Sequence, residues 1–281
     1  MESYLVDISP EQREAEACCR LLRLPFIYGG IFEPLGLHPC LSWYVLRILE
    51  HRLVESFHGE IDILAGRLNW NDPQEFEALV AEYRRDNPNW HPSRHYELAA
   101  LEFASSGAIK WPPSLDYLVA VEAKLAYYDP ETDKVKSQKS SPKELKKIQA
   151  KIRNLVKMGF NRVALLDLIA NPPSPGADMQ AWLAASGVAW DSERQMLPIL
   201  KGRLPRKSPS GHFVLSIASV AGGNETRRGA GYPAELQRAI ENPYLHYPHI
   251  QRCRIEMERN LHLLLESSPL PRSFPAIFQC E

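Results

Sequence analysis

Apolar and polar positions along this chain follow two periodicities, that of a helix and that of a strand, and together they predict alternating helices and strands. Three helices begin at a capping residue followed by proline, with Glu or Gln three residues after the cap. They are predicted over residues 10 to about 22, 73 to about 85, and 142–158. The third has apolar residues at helical spacing and ends at Gly159, a residue typical of helix C-termini.

Further helices are predicted from apolar spacing and chain breakers. In the first of them Trp43, Leu46, Leu49, Leu53 and Phe57 recur at helical spacing. The segments concerned are 39–57, 96–104, 179–185, 233–240 and 250–266.

Short apolar runs predict strands over residues 60–68, 117–127, 162–169 and 212–220. The second and third of these are separated by the capped helix 142–158 with short links. A strand, a helix and a strand in that order predict a right-handed parallel crossover. The chain is therefore expected to be an α/β protein.

Composition limits the class of protein but does not identify its function. The net charge is −1, so any contact with nucleic acid must come from a local basic patch. No apolar run approaches the roughly 18–20 residues that span a bilayer, and no secretory signal is evident. The five cysteines are scattered, which favours reduced thiols. We expect a cytoplasmic protein without membrane contact.

Acidic side chains stand at alternate positions in two of the predicted strands. Residues two apart share a strand face, so Glu60 lies beside Asp62, and Glu122 beside Lys124. Burying these charges among Val, Ile and Leu is costly unless something pairs them. A divalent cation would do so, and Mg²⁺ prefers oxygen ligands. Asp62 and Glu122 could supply two carboxylates, the Ala123 carbonyl a third oxygen, and Glu60 or a preceding helix another.

A plainer interpretation exists for the same residues, since Glu and Lys two apart on a strand often form a simple ion pair. If the site is catalytic, Lys124 is expected to orient water and stabilise charge in the transition state. The pKa of a free lysine is about 10.4, so the role of a general base would require a large depression of that pKa.

The runs Gly59-Glu-Ile-Asp62-Ile-Leu and Val119-Ala-Val-Glu122-Ala-Lys124 resemble the PD-(D/E)XK nuclease superfamily. They are similar to its restriction-endonuclease-like and Holliday-junction-resolvase-like members. The resemblance implies a mixed central sheet flanked by helices, Mg²⁺ or Mn²⁺ as cofactor, and phosphodiester hydrolysis. It also implies that Asp62 and Glu122 are metal ligands and that Lys124 is the catalytic lysine.

This resemblance also suggests a domain organisation. A nuclease-like core over 39–170 would contain a helical insertion at 69–115, preceded by a helical segment 1–38 and followed by an α+β extension 171–281 that could pack on the core. The insertion makes the gap between Asp62 and Glu122 long. The glutamate expected from the preceding helix is either Glu50 or Glu55. Glu55 is preferred because the end of that helix should lie nearer Asp62.

Two basic segments could contact nucleic acid. A lysine-rich helix after Lys124 forms either a phosphate-binding ridge or a solvated face, and its residues in question are Lys143, Lys146, Lys147 and Lys151. Arg227 and Arg228 stand in a glycine-rich loop that could follow a backbone or be a plain turn.

The expected function is a metal-dependent endonuclease acting on DNA. The alternatives are a nuclease-like module that binds nucleic acid or protein without cutting, and a nuclease directed at RNA. A homodimer is a further possibility, since many nucleases of this type pair to cut both strands.

Overall fold

A computed structural model describes most of residues 10–171 and parts of the chain beyond them. The described residues are 10–21, 30–38, 41–70, 73–90, 92–129, 134–136, 142–171, 203–205, 207–216, 234–267 and 276–279. Within them the protein is α/β, with a mixed sheet flanked by helices, which confirms the predicted fold class at this level. The predicted helix 179–185 lies outside the described residues.

The described helices agree with most of the predicted ones. They are α1 (Pro10–Leu21), α2 (Glu50–Leu53), α3 (Pro73–Asp86), α4 (Pro92–Ser106), α5 (Pro142–Met158) and α6 (Pro248–Glu266). The proline starts and the Gly159 end of α5 are confirmed, and Gly159 has a φ of +94° that glycine adopts without strain. None of these helices combines the length and apolar character needed to cross a membrane.

Ten strands are described. They are β1 (Ser42–Leu49), β2 (Glu60–Arg67), β3 (Asn69–Trp70), β4 (Ile109–Lys110), β5 (Leu118–Asp129), β6 (Lys134–Lys136), β7 (Arg162–Ala170), β8 (Gly211–Ser216), β9 (Ala234–Gln237) and β10 (Ala276–Gln279). Two predicted helices were wrong: 39–57 contains β1 and the single turn α2, and 233–240 contains β9.

Strand β1 has apolar side chains on both of its faces, which is why its pattern resembles a helix. Trp43 and Val45 pack in one core cluster, whereas Tyr44 and Leu46 pack in the other. Periodicity cannot separate a strand buried on both faces from a buried helix. Gly66 on β2 lies opposite Trp43, where a Cβ would overlap the indole ring.

The main sheet has the strand order β10-β1-β2-β5-β7-β8-β9, with β6 paired to β5. Strands β5, β7 and β8 are parallel to one another, as are β1 and β10. The remaining pairs, β1–β2, β2–β5, β5–β6 and β8–β9, are antiparallel. Helix α5 connects the parallel strands β5 and β7, as the sequence predicts. Strands from the C-terminal part of the chain therefore continue the same sheet.

Both faces of the sheet are covered. On one face, α5, α6 and the insertion with α3 and α4 enclose the larger core cluster, to which Ile152, Phe76 and Leu261 belong. On the other face, Ala17 of α1 and Phe32 pack against the smaller cluster. Helix α1 thus lies on the sheet, close enough to reach its central strands.

Candidate active site at the fork between β2 and β5

Strands β2 and β5 separate in the middle of the sheet. Their ladder pairs run from Gly66–Leu118 to Ile63–Val121 and stop there. Strand β5 continues along β7 as far as Tyr127. We call the gap between the two strands beyond Ile63 the β2–β5 fork, and it leaves backbone N–H groups of β5 without a strand partner.

Two carboxylates take the place of the missing strand. Asp62 Oδ2 accepts a hydrogen bond of 2.8 Å from the Ala123 N–H. Glu14 of α1 accepts one of 2.9 Å from the Leu125 N–H through Oε2. The sequence places Asp62 at this point because it follows Ile61 on the strand, just before the first ladder pair with β5.

The ammonium of Lys124 lies at the centre of the fork. Its Nζ is 2.7 Å from Glu122 Oε1, 3.0 Å from Asp62 Oδ2 and 3.4 Å from Glu14 Oε1, and it also donates to the Ala123 carbonyl. The lysine side chain is only 9% exposed. The structure therefore brings Asp62, Glu122 and Lys124 together, with Ala123 beside them.

Burial and mutual charge set the protonation of this cluster. Burial, reinforced by the nearby Asp62 charge, raises the pKa of Glu122 to about 8, although the lysines 124 and 151 partly oppose this. Burial acts to lower the pKa of Lys124, but the surrounding carboxylates outweigh it and raise that pKa well above the usual range. Lys124 is therefore a cation at neutral pH, suited to electrostatic stabilisation and not to accepting a proton.

The oxygen atoms of the fork are of the kind that Mg²⁺ and Mn²⁺ prefer. Asp62, Glu122, Glu14 and the Ala123 carbonyl could contribute to such a site. Glu122 Oε2 is buried and has no hydrogen-bond partner within the described residues, so one carboxylate oxygen is available. No three His, Cys, Asp or Glu residues of the described part form a metal-holding group as they stand. The ammonium of Lys124 occupies the position between the carboxylates.

The other glutamates proposed as ligands lie elsewhere. Glu60 pairs with the guanidinium of Arg47. Glu55 is exposed, and its backbone N–H donates to Glu256 on α6. The expected helix that would have carried Glu55 toward Asp62 is the strand β1 followed by one helical turn.

Glu50 forms a second buried ion pair behind the fork. Its side chain is fully buried, and its Oε1 lies 2.6 Å from Lys151 Nζ on α5. The same ammonium donates to the Glu60 carbonyl. Lys151 therefore neutralises a buried carboxylate and is 16% exposed, unlike the surface lysine that the sequence suggests.

The remaining basic candidates differ in position. Lys143, Lys146 and Lys147 are exposed on α5, and Lys147 pairs with Glu144 at 2.7 Å. Arg227 and Arg228 lie outside the described residues.

A further charged cluster lies beside the fork. Asp167 on β7 is the ladder partner of Lys124 and is fully buried. Its carboxylate is 2.7 Å from His212 Nε2 on β8 and also pairs with Arg203. None of these three residues was among the site residues predicted from the sequence.

Sequence reasoning also missed Glu14, although a signal for it exists. Helix α1 buries Ala17 and Cys18 against the sheet. Glu14 stands three and four residues before them, which puts it on the same helix face. A carboxylate on a buried helix face requires a cationic or hydrogen-bonding partner, and that would have suggested a role in the site.

Comparisons with known proteins found no match to this chain. No family model matches the chain, and neither the curated proteins nor the solved structures contain a significant match.

Proposed function

We propose that this protein is a metal-dependent endonuclease that hydrolyses phosphodiester bonds, with DNA as its substrate. The observation that carries the proposal is the convergence of Asp62, Glu122 and Lys124 with Glu14 at the β2–β5 fork. The elements α1, β1, β2, β5, α5 and β7 follow in the order expected for a restriction-endonuclease-like core. Asp62 lies on β2, and Glu122 and Lys124 lie on β5. That core is part of the proposal.

The charge balance of the fork supports a cation as cofactor. Three carboxylates surround the single ammonium of Lys124. Even with Glu122 protonated, as its pKa of about 8 implies at neutral pH, two carboxylates face one ammonium. A phosphate diester would be repelled by this surplus negative charge, and a bound divalent ion would reverse it.

Each residue has a role that follows from its position. Asp62 and Glu122, with the Ala123 carbonyl and Glu14, would hold Mg²⁺ or Mn²⁺. When bound, such an ion lowers the pKa of a coordinated water and offsets charge on the phosphate. Lys124 lies beside both carboxylates, so its ammonium can orient the attacking water and stabilise the charge that develops on the phosphate oxygens. Glu122 must give up its proton before it can act as a ligand.

The test is cleavage of supercoiled plasmid with Mg²⁺ or Mn²⁺, stopped by EDTA, with an RNA digest in parallel. Asp62→Asn is expected to abolish cleavage. The matched control is Asp86→Asn, an exposed aspartate of α3 that should cut like the wild type.

Wild-type protein that cleaves neither DNA nor RNA with either metal would contradict the proposal. It would favour a nuclease-like module that binds without cutting. Cleavage of RNA alone would keep the chemistry and change the substrate. A homodimer and a cytoplasmic location remain part of the proposal, tested by the mass of the protein in solution and by cell fractionation.

A further inference from the structure

Arg47 adopts a left-handed backbone conformation inside strand β1. Its φ is +54°, a region that side chains other than glycine rarely occupy. It lies opposite Asp62, but these two residues do not form a pair in the ladder between β1 and β2. The register is the same on both sides of the rung, so no residue is inserted there.

The two strands exchange faces at this rung. Leu46 and Ile48 are two residues apart and should share a face, yet they pack in different core clusters. Ile61 and Ile63 on β2 show the same exchange. The reversal coincides with the turn of the Asp62 carboxylate toward the Ala123 N–H.

The conformation alone does not account for an arginine. Glycine would adopt this φ without a steric penalty, so the strain at Arg47 has to be offset by something its side chain does. Non-glycine residues held in such regions are concentrated at functional sites. Lys207 has a similar φ but lies in a turn, whereas Arg47 has it inside a strand, opposite Asp62. This position suggests that the guanidinium of Arg47 has a role of its own.

The guanidinium of Arg47 lies beside Glu60, two residues before Asp62 on β2. The side chain is 45% exposed and donates to the Glu60 carboxylate. The hydrogen bond to Glu60 raises the pKa of Arg47, against the opposing effect of burial, and the charges of Asp62 and Glu14 add to the rise. These carboxylates belong to the fork, so Arg47 is within electrostatic reach of it.

We propose that Arg47 binds a phosphate oxygen of the nucleic-acid strand at the rim of the β2–β5 fork. This inference rests on the proposed function. A guanidinium matches a phosphate in shape and can donate two hydrogen bonds to it. An exposed ion pair such as Arg47–Glu60 is weak, so an incoming phosphate can displace Glu60.

The experiment measures binding of a fluorescent DNA strand with Ca²⁺ in place of Mg²⁺, because Ca²⁺ also takes oxygen ligands and so offsets the negative charge of the fork. A gel run in parallel verifies that the strand stays intact. Arg47→Gly keeps the left-handed backbone and removes the guanidinium. It should weaken binding about tenfold and reduce the slope of log affinity against log salt by about 0.7–0.9, the loss of one phosphate contact. Arg47→Lys should keep the salt slope and bind with intermediate affinity, because it retains the charge but not the two-pronged geometry.

Lys207→Gly is the matched control. Lys207 is also basic and exposed, and its φ is +58°. This change should leave affinity and salt slope as in the wild type, while both glycine variants should melt within a few degrees of the wild type. An unchanged slope in Arg47→Gly would overturn the inference.

The outcomes separate the two proposals. If the wild type cleaves nucleic acid but Arg47→Gly has an unchanged salt slope, the nuclease proposal stands and the Arg47 contact is refuted. If Arg47→Gly has a reduced salt slope but the wild type never cleaves, the Arg47 contact stands and the nuclease proposal is refuted. Wild-type protein that binds no DNA or RNA contradicts both.

Discussion

The carboxylate of Glu14 lies 3.4 Å from the ammonium of Lys124, although 110 residues separate them in the chain. Helix α1 is therefore part of the candidate site and not an appendage to it. The other carboxylate oxygen of Glu14 accepts a hydrogen bond from the Leu125 N–H. One side chain therefore both fixes the edge of β5 and contributes charge to the fork.

Glu14→Gln should lower activity and leave the fold intact. The amide oxygen can still accept the Leu125 N–H, but the negative charge beside Lys124 is gone. We expect a fall in metal affinity or activity of about 10–100-fold, the range found for groups that support metal ligands. Titration calorimetry with Mn²⁺ and plasmid cleavage measure the two effects. Glu77→Gln, at an exposed position of α3, serves as control, and equal activity of both variants would exclude Glu14 from the site.

Lys124→Met should separate catalysis from metal binding. Loss of a preorganised charge at the phosphate should slow cleavage by about 100-fold or more. The variant lacks the ammonium that offsets the buried carboxylates. In the absence of metal, its free energy of unfolding should therefore be lower than that of the wild type by up to about 3–5 kcal/mol. Mn²⁺ should then raise the melting temperature more than it does in the wild type. Lys147→Met, at an exposed ion pair, should change neither property; full activity in Lys124→Met would refute the role of Lys124.

The raised pKa of Glu122 predicts an unusual dependence of stability on pH. Its pKa is about 8 in the folded protein and about 4.3 in an unfolded chain. Between these values the folded state binds the additional proton, so this contribution to stability is complete below about pH 4 and is lost as the pH rises through 8. Urea unfolding in EDTA at several pH values should show the decline, and Glu122→Gln should remove it.

The same proton should compete with the metal. Below pH 8 each ion that binds must displace the proton of Glu122, so Mn²⁺ affinity should rise about tenfold per pH unit toward that value. Calorimetry in buffers of different ionisation enthalpy counts the released proton. An affinity that stays flat from about pH 5.5 to 7.5 is the contrary outcome.

Asp167 should matter for stability whether or not the protein is an enzyme. Its buried carboxylate holds both Arg203 and His212, so Asp167→Asn leaves the Arg203 cation without its counter-charge. We expect a loss of about 3–5 kcal/mol in the free energy of unfolding. Asp86→Asn, on the surface, should stay within about 0.5 kcal/mol of the wild type in the same urea titration. A similar small change in Asp167→Asn would show that the cluster is dispensable.

Local signals were sufficient for much of the fold. The capping residue before α5, the proline at its first position, its apolar stripe and Gly159 all lie within one segment, and the structure has that helix. Strand β1 was beyond such reasoning, because it is apolar on both faces and only its neighbours β2 and β10 distinguish it from a helix. Strand β9 is short and takes its conformation from pairing with β8.

The candidate site also has residues that local sequence reveals and residues that depend on the long-range fold. Asp62, Glu122 and Lys124 are recognisable because acidic groups at alternate positions in apolar strands need partners. Glu14 was recognisable only as a carboxylate on the apolar face of α1, since its contact with Lys124 depends on where α1 crosses the sheet. The fork itself depends on the rung at which β2 leaves β5, a long-range property that no window of sequence contains.

The separation of β2 from β5 creates an unpaired strand edge in the interior of the sheet. Unpaired edges invite another chain to add a strand, and proteins protect them with charged side chains. Here the carboxylates of Asp62 and Glu14 occupy the backbone donors that an invading strand would need. Replacing both by apolar residues would therefore turn the β2–β5 fork into a place where another chain can add a strand and start aggregation.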